Sequence, residues 1–177
     1  MKIFCYGDSN MYGYDPSVFG GGKYDRVWTD IIAEAGHQVT VDAMPGRQTP
    51  FKKRPLDIMK EQLKEHYDLL IIMLGSNDLD ATLSVDSVKE RVKTMCRAAI
   101  SWKKADRLLL VAPPINRRSR EIESLSYDMN EALAELAQEL GVEFADAGAW
   151  EFELACDHDH LSEKDQEIFA DELLKSI

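Results

Sequence analysis

The sequence is poor in cysteine and has no long apolar run. Its 177 residues include three cysteines, Cys5, Cys96 and Cys156, an odd number with no CxxC pair and no metal-ligand spacing. A disulfide framework is therefore not expected, and we predict free thiols and a cytoplasmic location. No stretch approaches the ~18 apolar residues of a membrane-spanning helix, and the apolar run at the N-terminus is too short for a signal peptide.

Basic residues are also scarce. Lysine and arginine total 21 against 32 aspartates and glutamates, which gives a net charge of −11 at pH 7. Because phosphate binding depends on clustered basic side chains, this balance argues against nucleic acid and against an anionic membrane surface. We expect a small-molecule substrate, with a second copy of the chain as the protein partner to consider.

The hydrophobic fraction of 45% and the charged fraction of 30% are typical of a chain that buries a sizeable core. No internal repeat, low-complexity tract or linker divides it. The sequence therefore predicts a single domain over residues 1–177.

Apolar and β-branched runs alternate with helical patterns along the chain. The predicted strands are Lys2–Tyr6, Gln38–Ala43, Asp68–Leu74, Arg107–Ala112 and Val142–Asp146. The predicted helices are Val27–Ala35, Leu56–His66, Val85–Lys103, Arg120–Leu140 and Glu163–Ser176, with Ser84 and Ser162 as N-caps and Gly36 and Gly141 as stops. The apolar run 69–74 indicates a parallel strand covered on both faces, so we predict a three-layer α/β/α domain with about five parallel strands.

In such a sheet, the loops after the carboxyl ends of the strands line the ligand crevice. Four predicted loops rich in Gly, Ser, Asn, Asp and His occupy these positions. They contain Gly7–Asn10, Pro45–Thr49, Gly75–Asp78 and Asp157–Ser162.

Ser9 follows the first strand directly and is a candidate nucleophile. Alone it would be read as a turn or capping serine, because a serine hydroxyl is a weak nucleophile without a base and an orienting acid. Of the four histidines, His37 and His66 fall at helix ends, which leaves His158 and His160. We favour His160 as the base and Asp157, three residues earlier, as the acid that orients it; a solvated acidic loop is the alternative.

A tetrahedral intermediate also requires hydrogen-bond donors for its oxyanion. The candidates are the backbone N–H groups of Ser9 and Gly46 and the side-chain amide of Asn77. The alternatives are an Asx-turn at Asn77 and a left-handed turn residue at Gly46.

Together, the four segments resemble the SGNH (GDSL-type) hydrolases in order and position. They carry Gly7-Asp8-Ser9, a glycine in the second loop at Gly46, Gly75-Ser76-Asn77-Asp78 and Asp157-x-x-His160. The resemblance implies a flavodoxin-like strand order 2-1-3-4-5, a Ser9–His160–Asp157 triad and an oxyanion hole of Ser9, Gly46 and Asn77. It implies no metal and no cofactor.

Segment 7–16 is most similar to the arylesterase and acyltransferase branch of that family, where small esters are typical substrates. Asn10 stands where the family name has Leu, and Tyr12 where the branch often has Trp. We expect these two residues and Arg47 to contact the substrate. The basic cluster of Arg117, Arg118 and Arg120 is read as a solvated loop, with a rim that binds polar groups as the alternative.

The leading hypothesis is a serine esterase that cleaves short-chain carboxylic esters through an acyl-enzyme on Ser9, with sugar deacetylation or acyl transfer as variants. One alternative is a metal-dependent hydrolase, for which the candidate ligands are Asp8, Asp78, Asp157, His158, Asp159 and His160. Another is a flavodoxin-like module that binds a phosphate or a flavin at the first loop.

Overall fold

Five parallel strands form the centre of the computed structural model, which describes residues 1–177. The strands of this sheet are β1 (Lys2–Gly7), β4 (Gln38–Ala43), β5 (Tyr67–Met73), β6 (Ala105–Ala112) and β7 (Glu143–Asp146); a separate hairpin contains β2 (Tyr14–Asp15) and β3 (Gly22–Lys23). The helices are α1 (Ser9–Tyr12), α2 (Trp28–Glu34), α3 (Lys53–Gln62), α4 (Ser76–Thr82), α5 (Val85–Trp102), α6 (Arg120–Leu140) and α7 (Glu163–Leu174), with a 3₁₀ turn at Ala147–Ala149. None of the helices combines the length and the apolar character needed to cross a bilayer.

The strand order in the sheet is β4-β1-β5-β6-β7, and every pairing is parallel. Counted among the sheet strands alone, this is the predicted order 2-1-3-4-5, so the three-layer α/β/α fold is confirmed. The order reverses direction at β1, which pairs with β4 on one side and β5 on the other. A crevice at the carboxyl ends of β1 and β5 therefore opens at the switch point of the sheet.

The two helical layers bury opposite faces of the strands. Because successive side chains of a strand point to opposite faces, Phe4 and Leu70 join the core beneath α3, α5 and α6. Their neighbours Ile3 and Leu69 join the core beneath α2 and α7. This double burial explains why the central strands read as continuous apolar runs.

The predicted helix Leu56–His66 is wrong in its bounds, because α3 spans Lys53–Gln62. It begins earlier because Pro55 falls in its first turn, where a missing N–H costs no intrahelical hydrogen bond. It ends at Gln62 because the backbone leaves the helix at Leu63, whose side chain is buried in the core.

Short elements were not predicted. The region 7–26 was read as irregular but contains α1 and the β2-β3 hairpin, and α4 follows β5 after one tight turn. Strands of two residues and a helix of four residues are too short to show a period. The predicted caps are present: Ser162 and Asp165 form a capping box at α7, and Gly141 closes α6 in a left-handed conformation.

Candidate active site

Ser9 sits at the point where β1 turns into α1. Asp8 caps α1, and its Oδ1 accepts the Asn10 N–H at 3.1 Å. Gly7 permits the tight turn because a Cβ there would lie 2.7 Å from the Met11 Cβ. The local sequence thus presents the Ser9 side chain at the crevice at the carboxyl end of β1.

The loop before α7 brings His160 to Ser9 across 151 residues of sequence. His160 Nε2 lies 2.9 Å from Ser9 Oγ, and His160 Nδ1 lies 2.6 Å from Asp157 Oδ2. A carboxylate can only accept, so this geometry favours the tautomer with the proton on Nδ1 and leaves Nε2 free to accept from the serine.

Asp157 is held as an anion. Its Oδ1 accepts the backbone N–H groups of Asp159 and His160, each at 3.1 Å. Partial burial raises the pKa of this carboxyl, but the hydrogen bonds from His160 and from the two backbone groups outweigh burial, and the net pKa is lowered. Asp157 can therefore stay ionised beside the imidazole.

Asn10 links the serine helix to the histidine loop instead of facing the crevice. Its Oδ1 accepts the Leu161 N–H at 2.9 Å, and its backbone carbonyl accepts the Trp28 indole N–H at 3.1 Å. Asn10 is buried and does not line the cavity beside Ser9, so the structure places it in contacts within the protein and not at the predicted substrate contact.

Arg47 and Tyr12 also lie away from the cavity beside Ser9. The Arg47 guanidinium donates to the carbonyls of Gly7 and Asp42 and to the Asp42 carboxylate, and it stacks over the Tyr6 ring at 4.3 Å. Tyr12 faces a separate groove. Neither side chain is placed as the substrate contact that the sequence suggested.

The proposed oxyanion donors face the same cavity as Ser9 and His160. Gly46 adopts φ +74°, a conformation that L side chains rarely adopt, and its backbone borders the cavity. Asn77 lies in the first turn of α4, and its amide donates to the Arg47 carbonyl at 3.1 Å and to Asp8 Oδ2 at 3.3 Å. These two bonds orient the amide at the edge of the crevice.

This cavity has a volume of about 300 Å³. Its lining consists of Ser9, Tyr14, Pro45, Gly46, Asn77, Asp80, Arg118, Asp159 and His160. Five of these were not predicted to contact an ester substrate: Tyr14, Pro45, Asp80, Arg118 and Asp159. Arg118 was part of the basic cluster noted in the sequence, and Pro45 and Asp159 lie in two of the predicted crevice loops. Arg118 contacts Asp80 at 2.6 Å and lines the cavity, as the alternative of a polar rim expects.

A larger cavity of about 480 Å³ lies near the ends of α5 and α6, remote from Ser9. His66 stands at this cavity, paired with Asp106 at 2.8 Å. Serine and cysteine are absent from its lining, so the smaller cavity is the candidate active site.

The acidic residues considered as metal ligands do not converge. No group of three or more His, Cys, Asp or Glu side chains is placed to hold a metal ion. Asp78, for example, is fully buried and accepts from Thr49 and from Arg91 at 2.8 Å. The donor set of the metal-dependent alternative is therefore dispersed among other contacts.

Asp8 makes the stability of the fold sensitive to pH. Complete burial raises the pKa of this carboxyl to about 7, although the Asn10 N–H opposes the shift. Since the folded state then holds the proton more tightly than the unfolded state, the free energy of unfolding falls as pH rises from about 4 to about 7, by at most about 4 kcal/mol. We expect Asp8→Asn to remove this slope.

The measurement is urea unfolding of the wild type and Asp8→Asn at several pH values from 4.5 to 8. The free energy of unfolding of Asp8→Asn should rise steadily relative to that of the wild type as pH increases. Two curves that stay parallel across the range would show that Asp8 does not titrate there.

Comparison with known proteins identifies the family. The GDSL-like lipase/acylhydrolase family matches residues 5–172. Similar solved structures include the native aryl esterase of M. smegmatis (TM-score 0.82, 21% identity, 99% of each chain covered). A carbohydrate acetylesterase family member from Sinorhizobium meliloti has a TM-score of 0.81 at 22% identity, covering 97% of this chain and 94% of that one.

A lipase/acylhydrolase from Enterococcus faecalis is also similar, with a TM-score of 0.72 and 24% identity over 98% of this chain and 93% of that one. At these identities, the likeness of the solved structures establishes the fold alone. The comparison with curated proteins finds no match. Because the family match spans nearly the whole sequence, the chain belongs to the GDSL-like lipase/acylhydrolase family and is an ester hydrolase of the SGNH type.

Proposed function

We propose that the protein hydrolyses short-chain carboxylic esters through an acyl-enzyme on Ser9. The observation that carries this proposal is the continuous line of contacts from Ser9 Oγ to His160 Nε2 and from His160 Nδ1 to Asp157. A serine hydroxyl becomes nucleophilic when a base within hydrogen-bond distance accepts its proton and a third group orients that base.

In the first half-reaction, Ser9 Oγ attacks the ester carbonyl while His160 Nε2 takes the hydroxyl proton. His160 then returns this proton to the departing alkoxide, and the alcohol leaves. Asp157 stabilises the imidazolium that exists between these two transfers. In the second half-reaction, His160 takes a proton from water as the resulting hydroxide adds to the acyl carbon. The bond between this carbon and Ser9 Oγ then breaks, His160 returns the proton to Oγ, and the carboxylic acid leaves.

The N–H groups of Ser9 and Gly46 and the Asn77 amide would stabilise the negative charge on the carbonyl oxygen of the intermediate by donating hydrogen bonds to it. These groups border the cavity into which the oxygen would project. To donate there, the Asn77 amide would give up or share its 3.3 Å contact with Asp8, the longer of its two hydrogen bonds. Such donors are most valuable when they act on charge that develops during the reaction.

Two features support short acyl chains. The cavity of about 300 Å³ is at the lower end of the range for ligand pockets. The loops that follow β5 and β6 are short, since α4 begins at Ser76 and α6 at Arg120, and they provide little material for a lid over a long chain. One of the similar structures is a carbohydrate acetylesterase family member, whose name indicates an acetyl group, the acyl group of a short-chain ester.

We expect kcat/KM on p-nitrophenyl esters to decrease from acetate to decanoate, and a fluorophosphonate to label Ser9 and abolish turnover. Steady-state kinetics and peptide mapping by mass spectrometry measure these outcomes. Faster cleavage of decanoate would reject the short-chain assignment. A label on another serine would reject the nucleophile.

A further inference from the structure

A group of charged side chains lines the same cavity as Ser9, and the proposed hydrolysis does not use it. It consists of Asp80 in α4, Arg118 in the loop before α6 and Asp159 in the loop before α7. Arg118 Nη2 contacts Asp80 Oδ2 at 2.6 Å, and Arg118 Nε lies 3.9 Å from Asp159 Oδ2. We call these three residues the charged wall.

The charged wall is tied to the catalytic loop. The Arg117 N–H donates to the His158 carbonyl at 2.8 Å, and the Arg118 N–H donates to Asn116 Oδ1 at 3.0 Å. These bonds fix the backbone that carries the Arg118 guanidinium relative to the segment that carries His160. The charged wall therefore has a defined position relative to the reacting atoms.

The charged wall retains unused hydrogen-bonding capacity. A guanidinium has five N–H donors, and the described contacts of Arg118 engage few of them. Asp80 Oδ1 is shielded from solvent and has no hydrogen-bond partner. A ligand can therefore reach Asp80 only at Oδ2, which has lone pairs left beside its contact with Arg118.

The charges restrict the chemistry of the ligand. An alkyl group against the charged wall would displace water from a guanidinium and two carboxylates without replacing their hydrogen bonds. An anionic ester would face the carboxylates of Asp80 and Asp159 against a single arginine. A hydroxyl group can donate to a carboxylate and accept from a guanidinium at once, so a neutral alcohol with several hydroxyls matches both signs of the wall.

We propose that the charged wall binds the alcohol part of the ester and selects neutral, hydroxyl-rich esters such as acetylated sugars or polyols, with Arg118 as the main specificity-determining residue. This inference rests on the proposed function, because it assumes that the ester carbonyl is held at Ser9. The Arg118 guanidinium would donate hydrogen bonds to the ligand oxygens. The carboxylates of Asp80 and Asp159 would accept hydrogen bonds from its hydroxyl groups.

The experiment compares two acetates that share the acyl group: glucose acetylated at its primary hydroxyl, and hexyl acetate. For the wild type, we expect kcat/KM on the glucose ester to exceed that on hexyl acetate by about tenfold or more, since a site built to bind hydroxyls discriminates against analogues that lack them. Arg118→Ala and Asp80→Asn should each lower this ratio by about tenfold, chiefly through KM for the glucose ester.

Arg117→Ala is the matched control. The Arg117 side chain contacts the Phe152 carbonyl and Glu123 and does not line the cavity, so the ratio should stay at its wild-type value. Acetylcholine tests whether the carboxylates of the wall select a cation instead.

A wild-type preference for hexyl acetate or acetylcholine would overturn the inference, and so would an Arg118→Ala ratio equal to that of Arg117→Ala. In those cases the proposed esterase function would stand, since acetates would still be cleaved. If no acetate is cleaved and the fluorophosphonate fails to label Ser9, the proposed function is rejected and the inference with it.

Discussion

Replacing Ser9 with alanine is expected to lower kcat on p-nitrophenyl acetate by up to about 10⁶-fold, with a small change in KM. The Oγ atom is the one that forms the bond to the acyl carbon, and without it His160 has no nucleophile to activate. Residual catalysis would come from binding and from the oxyanion donors alone. Active-site titration measures any wild-type enzyme that contaminates the preparation, so that the activity of the variant itself can be determined.

Ser101→Ala is the matched control for this change. Ser101 is exposed on α5, and its hydroxyl contacts only the Ala98 carbonyl of its own helix. This variant should retain wild-type kinetics. If Ser9→Ala kept turnover within tenfold of the wild type, Ser9 would not be the nucleophile.

Asp157→Ala is expected to cost much more activity than Asp159→Ala, with an upper bound of about 10⁴ in kcat. Asp157 Oδ2 lies 2.6 Å from His160 Nδ1, whereas Asp159 turns toward Arg118. Loss of Asp157 removes the acceptor that selects the productive tautomer and stabilises the imidazolium. Loss of the Asp159 side chain removes no hydrogen bond from the imidazole of His160.

The test is the kinetics of the four alanine variants from Asp157 to His160 on p-nitrophenyl acetate. His158→Ala should retain activity within about tenfold of the wild type, because the hydrogen bond of His158 with the Arg117 N–H is made by its backbone carbonyl. A larger kcat loss for Asp159→Ala than for Asp157→Ala would mean that the wrong carboxylate has been assigned to the triad.

The central fold was predictable because its signals are local and long. Strands such as Tyr67–Met73 are buried on both faces and read as unbroken apolar runs, and α5 and α6 each repeat an apolar face over five or more turns. The bounds were predicted within two residues wherever a cap such as Ser162 or Gly141 marks the end. The four-residue α1, the two-residue strands of the hairpin and the helix α4 were missed because they are held by contacts with distant residues.

The candidate triad was predictable from chain position, since parallel strands bring their carboxyl ends to one edge and few histidines compete for the role of the base. The sequence pattern placed Ser9, Asn77, Asp157 and His160 at that edge, and the structure brings them together there. Spacing also favoured Asp157 over Asp159, because a turn of three residues lets the carboxylate fold back to the imidazole of His160.

The sequence by itself determined the order of strands and helices, the fold class and the position along the chain of each group that could perform the chemistry. Only the tertiary structure decided which partners the polar side chains next to these groups contact. Asn10 turns to Leu161, Arg47 to Asp42, and Arg118 to Asp80 across 38 residues of sequence. The physical reason is that a polar side chain takes the best partner within reach, and that partner belongs to an element whose distance is set by packing and not by neighbours in sequence.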